Sequence, residues 1–139
     1  MTTNILDTLA ELDLFADLSK KEIKSVRQRM TPMSVTAGTE LITEGEIGRE
    51  AFIITDGEAT IWRRGRLVTT VGPGTVLGEM AVLTGITRTA TVRAETDLEL
   101  QMLSRREFFG LLDESPTMTR KLLVSTINRL QELEPGLLQ

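Results

Sequence analysis

The apolar positions change their period twice along the chain. Ile5, Leu6, Leu9 and Leu12 fall at helical spacing, and so do Ile23, Val26 and Met30 behind Ser19-Lys20-Lys21-Glu22. Ser19 and Glu22 have the spacing of a capping box, in which hydroxyl and carboxylate each accept the other's backbone amide at a helix start. From about residue 33 to residue 103 the period shortens, and glycines at 38, 45, 48, 57, 65, 72, 74, 78 and 85 separate short apolar runs. That is the rhythm of many short strands. The runs AFIIT and EATIW flank Asp56-Gly57, which predicts a hairpin. ATIWRRGRLVTTV predicts a second one, turning at Gly65. Ala90, Val92 and Ala94 alternate with Thr91, Arg93 and Glu95. Beyond a turn at Thr96-Asp97, Leu98, Leu100 and Met102 alternate with Glu99 and Gln101. This pattern predicts a third, half-buried antiparallel hairpin.

After residue 103 the helical period returns. Ser104-Arg105-Arg106-Glu107 reads as a second capping box, opening a short helix with Phe108, Leu111 and Leu112. Ser115-Pro116 reads as the N-cap and first residue of a longer helix. Met118, Leu122, Leu123, Ile127 and Leu130 give that helix one apolar face, and Pro135-Gly136 stops it. The expected architecture is a single α+β domain over 1–139, mainly β. Helices over 1–30 precede an antiparallel β-barrel or jelly roll over 31–103, and helices over 104–139 follow it.

Composition narrows the chemistry. With 40% hydrophobic and 26% charged residues, 139 residues suffice for a core without staples. The net charge of −4 argues against unaided binding to a polyanion, so direct nucleic-acid binding is not expected. No run reaches the length of a membrane span, and no signal-peptide pattern opens the chain, so a cytoplasmic protein is expected. The absence of histidine and cysteine excludes disulfides, histidine-based triads and most zinc or iron sites. A carboxylate-only magnesium or calcium site stays open in principle, but no EF-hand-like loop occurs, and no metal is expected. The same absence speaks against a metalloenzyme on a similar barrel, and no enzyme is expected.

The remaining candidate chemistry concentrates in GEMAVLTGITRTATV, residues 78–92, where one acid, Glu79, and one base, Arg88, stand among small and apolar residues. The segment from Glu79 to Leu83 suits a single helical turn. Its first amides have no intrahelical acceptor and favour an anion. Gly78 and Ala81 permit close approach to the backbone, Arg88 offers a planar fork for phosphate oxygens, and Thr89 adds a hydroxyl. A carboxylate such as Glu79 repels phosphate but accepts a sugar hydroxyl well. Together they describe a nucleotide with one phosphate near its sugar. The same residues also fit a surface ion pair in a loop, contributing about 0–1 kcal/mol.

This stretch resembles the phosphate-binding cassette of cyclic-nucleotide-binding domains, shared by catabolite-activator regulators, protein kinase A regulatory subunits and cyclic-nucleotide-gated channels. The matching positions are Gly78, Glu79, Met80, Ala81, Val82 and Leu83, then Arg88, Thr89, Ala90 and Thr91. FADLSKKEIKSV is similar to the family's entry helix. VTAGTELITEGEIGREAFIITDGEATIW is similar to its first strands, with Gly45, Gly48 and Gly57 at the turns. The resemblance implies a ligand-binding set of Gly78, Glu79, Met80, Ala81, Arg88, Thr89 and Ala90. Arg88 would pair with the cyclic phosphate, helped by Thr89 and the Ala81 amide, and Glu79 would accept the ribose 2′-OH. It implies cAMP as ligand, with cGMP kept open by Thr89. The helix from Pro116 would be a lid that signals occupancy to a protein partner, in a monomer or weak homodimer. The alternative is a ligand-free relative acting as an interaction module. A catabolite-activator-type transcription factor would need a helix-turn-helix, which the sequence to Gln139 does not contain.

Three departures accompany the likeness. GREAF puts Ala51 where the family has an aromatic, and Thr84–Thr87 lacks a proline. The last helix, over 116–134, spans only about 28 Å, and no aromatic after Phe109 is available to cap a base, which leaves Leu130, Leu133, Leu137 or Leu138. Outside the cassette, Trp62 reads as core or barrel-rim packing. The Arg63-Arg64-Gly65-Arg66 cluster reads as a solvated hairpin tip, with anion binding as its alternative.

Overall fold

The computed structural model describes residues 17–133. The helix expected over 5–12 and the stop at Pro135-Gly136 lie outside them. Helix α1 (Lys20–Arg29) precedes strands β1 (Thr31–Val35), β2 (Glu40–Ile42), β3 (Glu50–Asp56), β4 (Ala59–Arg63), β5 (Arg66–Val71) and β6 (Val76–Leu77). Then come α2 (Glu79–Thr84), β7 (Thr91–Ala94), β8 (Leu98–Ser104), α3 (Arg105–Glu114) and α4 (Pro116–Leu133). The strands form two four-stranded antiparallel sheets, ordered β1-β8-β3-β6 and β2-β7-β4-β5. This is the expected jelly roll with flanking helices.

Two cores share one sheet between them. Phe52, Ile54, Leu77, Leu98 and Leu100 of the first sheet meet Ile42, Ala59, Val92 and Ala94 of the second. On the other side of the first sheet, Ala51, Ile53 and Leu103 meet Val26, Phe108, Leu111, Met118 and Leu122 of the helices. Burial on both faces explains the unbroken apolar run of β3, since a strand with two covered faces has no polar side to alternate with. Gln101 on β8, expected to face water, is buried for the same reason.

Two of the three expected hairpins are corners instead. β3 pairs with β6 and β8, whereas β4 pairs with β5 and β7, so Asp56-Gly57 carries the chain from one sheet to the other. The turn at Thr96-Asp97 does the same between β7 and β8. The two corners are bonded together. The Glu95 and Thr96 amides donate to the Glu58 carbonyl at 2.9 and 3.2 Å, and the Glu58 amide donates to Thr96 Oγ1 at 3.0 Å. Gly57 has φ +93°, and a Cβ there would lie 2.2 Å from the Asp97 carbonyl oxygen. The third hairpin, β4–β5, forms as expected. Its turn residues Arg64 and Gly65 are both left-handed, the geometry of a type I′ turn. Trp62 is half-buried at the rim, donating from Nε1 to Thr60 Oγ1 at 2.9 Å beneath the Arg93 guanidinium.

The helix starts follow the caps. Ser19 and Glu22 form the complete box on α1. At α3 only half of the expected box forms. Ser104 Oγ accepts the Glu107 amide at 3.3 Å, but the Glu107 carboxylate reaches Arg29 at 3.2 Å. Ser115 Oγ accepts the Met118 amide and donates to Glu22 Oε2, each at 3.2 Å, joining the start of α4 to α1. Arg29 also pairs with Glu114, which accepts a hydrogen bond from Ser25 at 3.0 Å. Of the apolar face expected along α4, the described residues are only partly buried. Met118 and Leu122 are buried, whereas Leu123, Val124 and Ile127 are exposed.

Gly57→Ala should destabilise the fold by roughly 2–4 kcal/mol, combining left-handed strain with the clash at Asp97; urea unfolding with a Gly65→Ala control, at a glycine with open space around it, checks this. A second outcome concerns acid. The Arg29 hydrogen bond, then that of Ser25, holds the Glu114 carboxyl below its ordinary 4.5. A carboxyl with a depressed folded pKa stabilises the fold above its unfolded pKa and loses that contribution as pH falls through the folded value. Thermal melts stepped down from about pH 6 to about pH 3 should therefore show Glu114→Gln less acid-sensitive than the parent chain.

Candidate functional site

Gly78 ends the short β6 and turns, at φ +77°, into α2. Because β6 pairs with β3 at Phe52 and Ile53, Gly78 lies against the Glu50 end of β3. Arg88 arrives from the other side of α2, and the loop before β3 fixes its backbone. The Arg88 amide donates to the Glu46 carbonyl at 2.7 Å, the Gly45 amide donates to the Arg88 carbonyl at 2.9 Å, and Ile47 bridges Thr87.

The Arg88 side chain then runs inward, 7% exposed. Nη1 donates to the Gly78 carbonyl at 3.1 Å and Nη2 to the Glu50 carbonyl at 2.8 Å, while the Glu50 carboxylate stands 3.9 Å away. Two of five N–H donors are thereby used. Burial pushes the guanidinium below its ordinary pKa, and the carboxylates of Glu50, Glu46 and Glu79 pull it back. Arginine's intrinsic pKa is high enough to keep it cationic. A Cβ on Gly78 would lie 2.3 Å from Nη1, and one on Gly48 would lie 2.5 Å from the Ala81 Cβ and 3.0 Å from the guanidinium carbon. Both glycines are the space that the guanidinium and the first turn of α2 occupy.

A cleft of about 250 Å³ opens beside this group. Gly78, Glu79, Ala81, Arg88, Thr89 and Ala90 line its polar end, and Ile42, Ile61, Val68, Leu77 and Val92 its apolar walls. The cleft thus gathers six of the seven residues singled out in the sequence. The seventh, Met80, sits in α2, and its side chain lies outside the description. Glu79 is 2% exposed, so the surface ion-pair reading of Glu79 and Arg88 fails on burial alone. Thr89 is exposed at the mouth. Arg63 brings a second guanidinium to the lining.

Several participants were not legible beforehand. Glu50 acts through its carbonyl, which no side-chain pattern signals. Ile61 and Val68 carried only a strand signal. The side chains of Leu130 and Leu133, and all of Leu137 and Leu138, lie outside the description. Among the described residues no group of three or more acidic, histidine or cysteine side chains is placed to hold a metal, and no helix is long and apolar enough to cross a membrane.

Comparison with known proteins follows the same lines. The family model described as the cyclic nucleotide-binding domain matches residues 32–115. The cGMP-dependent protein kinase egl-4 of Caenorhabditis elegans is 35% identical over 134 residues, covering 92% of this chain and 17% of the kinase. The chain therefore spans about a sixth of that relative's length. The Thermus thermophilus catabolite activator protein superposes with a TM-score of 0.80 at 25% identity, covering 87% of this chain and 59% of the other. A cAMP-bound PfPKA-R fragment superposes with a TM-score of 0.80 at 27% identity, covering 91% and 44%. The likeness to these proteins extends from the cassette through both sheets to the helices, and the chain belongs to the cyclic nucleotide-binding domain family.

Proposed function

We propose that this chain is a cyclic-nucleotide sensor. cAMP is its first candidate ligand, and α4 transmits occupancy to a protein partner. The observation that carries the reading is the buried guanidinium of Arg88. A buried cation costs several kcal/mol to desolvate unless paired. Among the described residues its nearest carboxylate, on Glu50, stands at 3.9 Å, beyond hydrogen-bonding distance, and its hydrogen bonds go to two backbone carbonyls. A cyclic phosphate, singly charged and bidentate, completes the set. The Ala81 amide in the first turn of α2 and the Thr89 hydroxyl supply further donors.

Glu79 is the acceptor for the ribose 2′-OH. Its buried carboxylate repels a phosphate placed on it and so fixes which end of the nucleotide lies where. Ile61 and Val68 form the apolar wall for the base. Two observations favour cGMP as the second candidate: the Thr89 hydroxyl at the mouth, and the likeness to a cGMP-dependent kinase.

Switching requires that the ligand bind two placements of α4 with different affinity. Among the described residues Leu123, Val124 and Ile127 are exposed on α4 and available to meet a partner, while Leu130, Leu133, Leu137 and Leu138 remain the candidates to cover the base. Nothing in this reading requires chemistry on the ligand.

Calorimetric titration of nucleotide-stripped protein with cAMP and cGMP, against 5′-AMP, should give tight binding of one cyclic form and weak 5′-AMP binding. Arg88→Ala should weaken it by about 100-fold or more, the consequence of removing one partner of a buried charge pair. The 2′-deoxy analogue should lose about tenfold or more, one hydrogen bond to a carboxylate. No heat with either cyclic nucleotide would instead assign the chain to ligand-free interaction modules. Gly48→Ala provides a separate check. By displacing Arg88 and α2 it should weaken cyclic-nucleotide binding more than tenfold, about 1.4 kcal/mol, whereas Gly38→Ala, facing open space, should leave affinity unchanged.

A further inference from the structure

β5 lies at the edge of its sheet, with β4 as its neighbour. Arg66, Leu67, Val68, Thr69 and Thr70 are all exposed. An exposed edge presents a row of backbone donors and acceptors, and Leu-Val-Thr-Thr-Val is composed for extended pairing. At the same end, Arg63, Arg64 and Arg66 line one open depression with Val68. Among the described residues none of the three forms an ion pair. They stand on a chain of net charge −4, so the hairpin carries a local charge opposite to the whole. Arg64 holds φ +53°, at a turn position where asparagine or glycine is less strained. The Glu44 carboxylate accepts its amide at 3.0 Å, fixing the turn while leaving the guanidinium available.

We propose that the β4–β5 hairpin docks an extended acidic peptide segment. The segment adds to β5 as a further strand and sets its carboxylates against Arg63, Arg64 and Arg66. Backbone pairing supplies the affinity and the arginines the choice of partner, the division of labour of strand addition. The same arginines repel a second copy of the edge, which keeps β5 from pairing with itself. A lipid headgroup offers charge but no backbone to pair. Arg63 and Val68 also line the nucleotide cleft, but Arg64, Arg66, Thr69 and Thr70 do not, so the docking is tested apart from the ligand.

The test is an amide NMR titration of the full chain without nucleotide, using an alternating glutamate–valine hexapeptide, its lysine–valine counterpart, and the glutamate peptide N-methylated on alternate residues. The acidic peptide should shift the amides of residues 63–71. The lysine and N-methylated peptides should bind about tenfold or more weaker, as should the acidic peptide to R64Q/R66Q. An unchanged amide spectrum outside the hairpin shows that this variant is folded. Equal binding of the lysine peptide, full binding of the N-methylated one, or absence of shifts in β5 would overturn the proposal. So would binding to phosphatidylserine vesicles without any shift by the acidic peptide, which would reassign the hairpin to a membrane. Loss of cyclic-nucleotide binding in calorimetry would leave this result untouched.

Discussion

The buried guanidinium of Arg88 constrains everything around it. A cation taken from water must be surrounded by acceptors, and here two of them are backbone carbonyls, at Gly78 and Glu50. Carbonyls are fixed by the path of the chain, so β3, the turn into α2 and the loop before β3 must all be in register before the charge is satisfied. Gly78 and Gly48 have no side chain because the guanidinium takes that space. The clamp of Arg88 between the Glu46 carbonyl and the Gly45 amide holds the third wall. A site built this way is pre-organised, and Arg88 lines the cleft beside it.

The fold provides that register by placing one sheet between two cores. β3 and β8 are covered by the other sheet on one side and by helices on the other. Strands buried on both faces are hard to shift, because a slip of one residue exchanges two apolar sets at once. The helices are tied to one another by polar links at their ends, through Arg29 to Glu107 and Glu114, and through Ser115 to Glu22. On α4, beyond the buried Leu122, Leu123, Val124 and Ile127 are exposed. The rigid part of the molecule thus holds the charge, while the element with uncovered apolar surface lies at its margin. That division suits a receptor whose ligand must be read elsewhere.

Much of this was legible in the sequence because its causes are local. Caps at Ser19 and Ser115, the turn at Gly65 and the alternation along β7 depend on neighbours within a few residues. The cassette was legible for a related reason. Gly78, Glu79 and Arg88 stand close together in the chain, and the resemblance of that stretch to a known family singled them out where their spacing alone also fitted an ion pair. Local rules failed wherever a distant element supplied the partner. Asp56-Gly57 and Thr96-Asp97 have the residues of hairpin turns, yet the strands they join belong to different sheets, because alternation names a buried face and not the strand across from it. Glu107 has the spacing of a capping box but turns to Arg29, a stronger partner brought by α1. Gln101 sits at a polar position of an alternating strand and is buried because helices cover it.

By itself the sequence determined the class of fold and most element starts, since each rests on spacing or capping, and it singled out the residues at the polar end of the cleft through their resemblance to a family's motif. Only the tertiary structure decided which strands pair, that Arg88 and Glu79 are buried rather than joined at the surface, and that the Glu50 carbonyl holds the guanidinium. It also decided that Ile61, Val68 and Arg63 share the cleft and that Leu123, Val124 and Ile127 of α4 are exposed. Those outcomes depend on what stands across a gap of many residues, and in this chain that is set when two sheets close over one another.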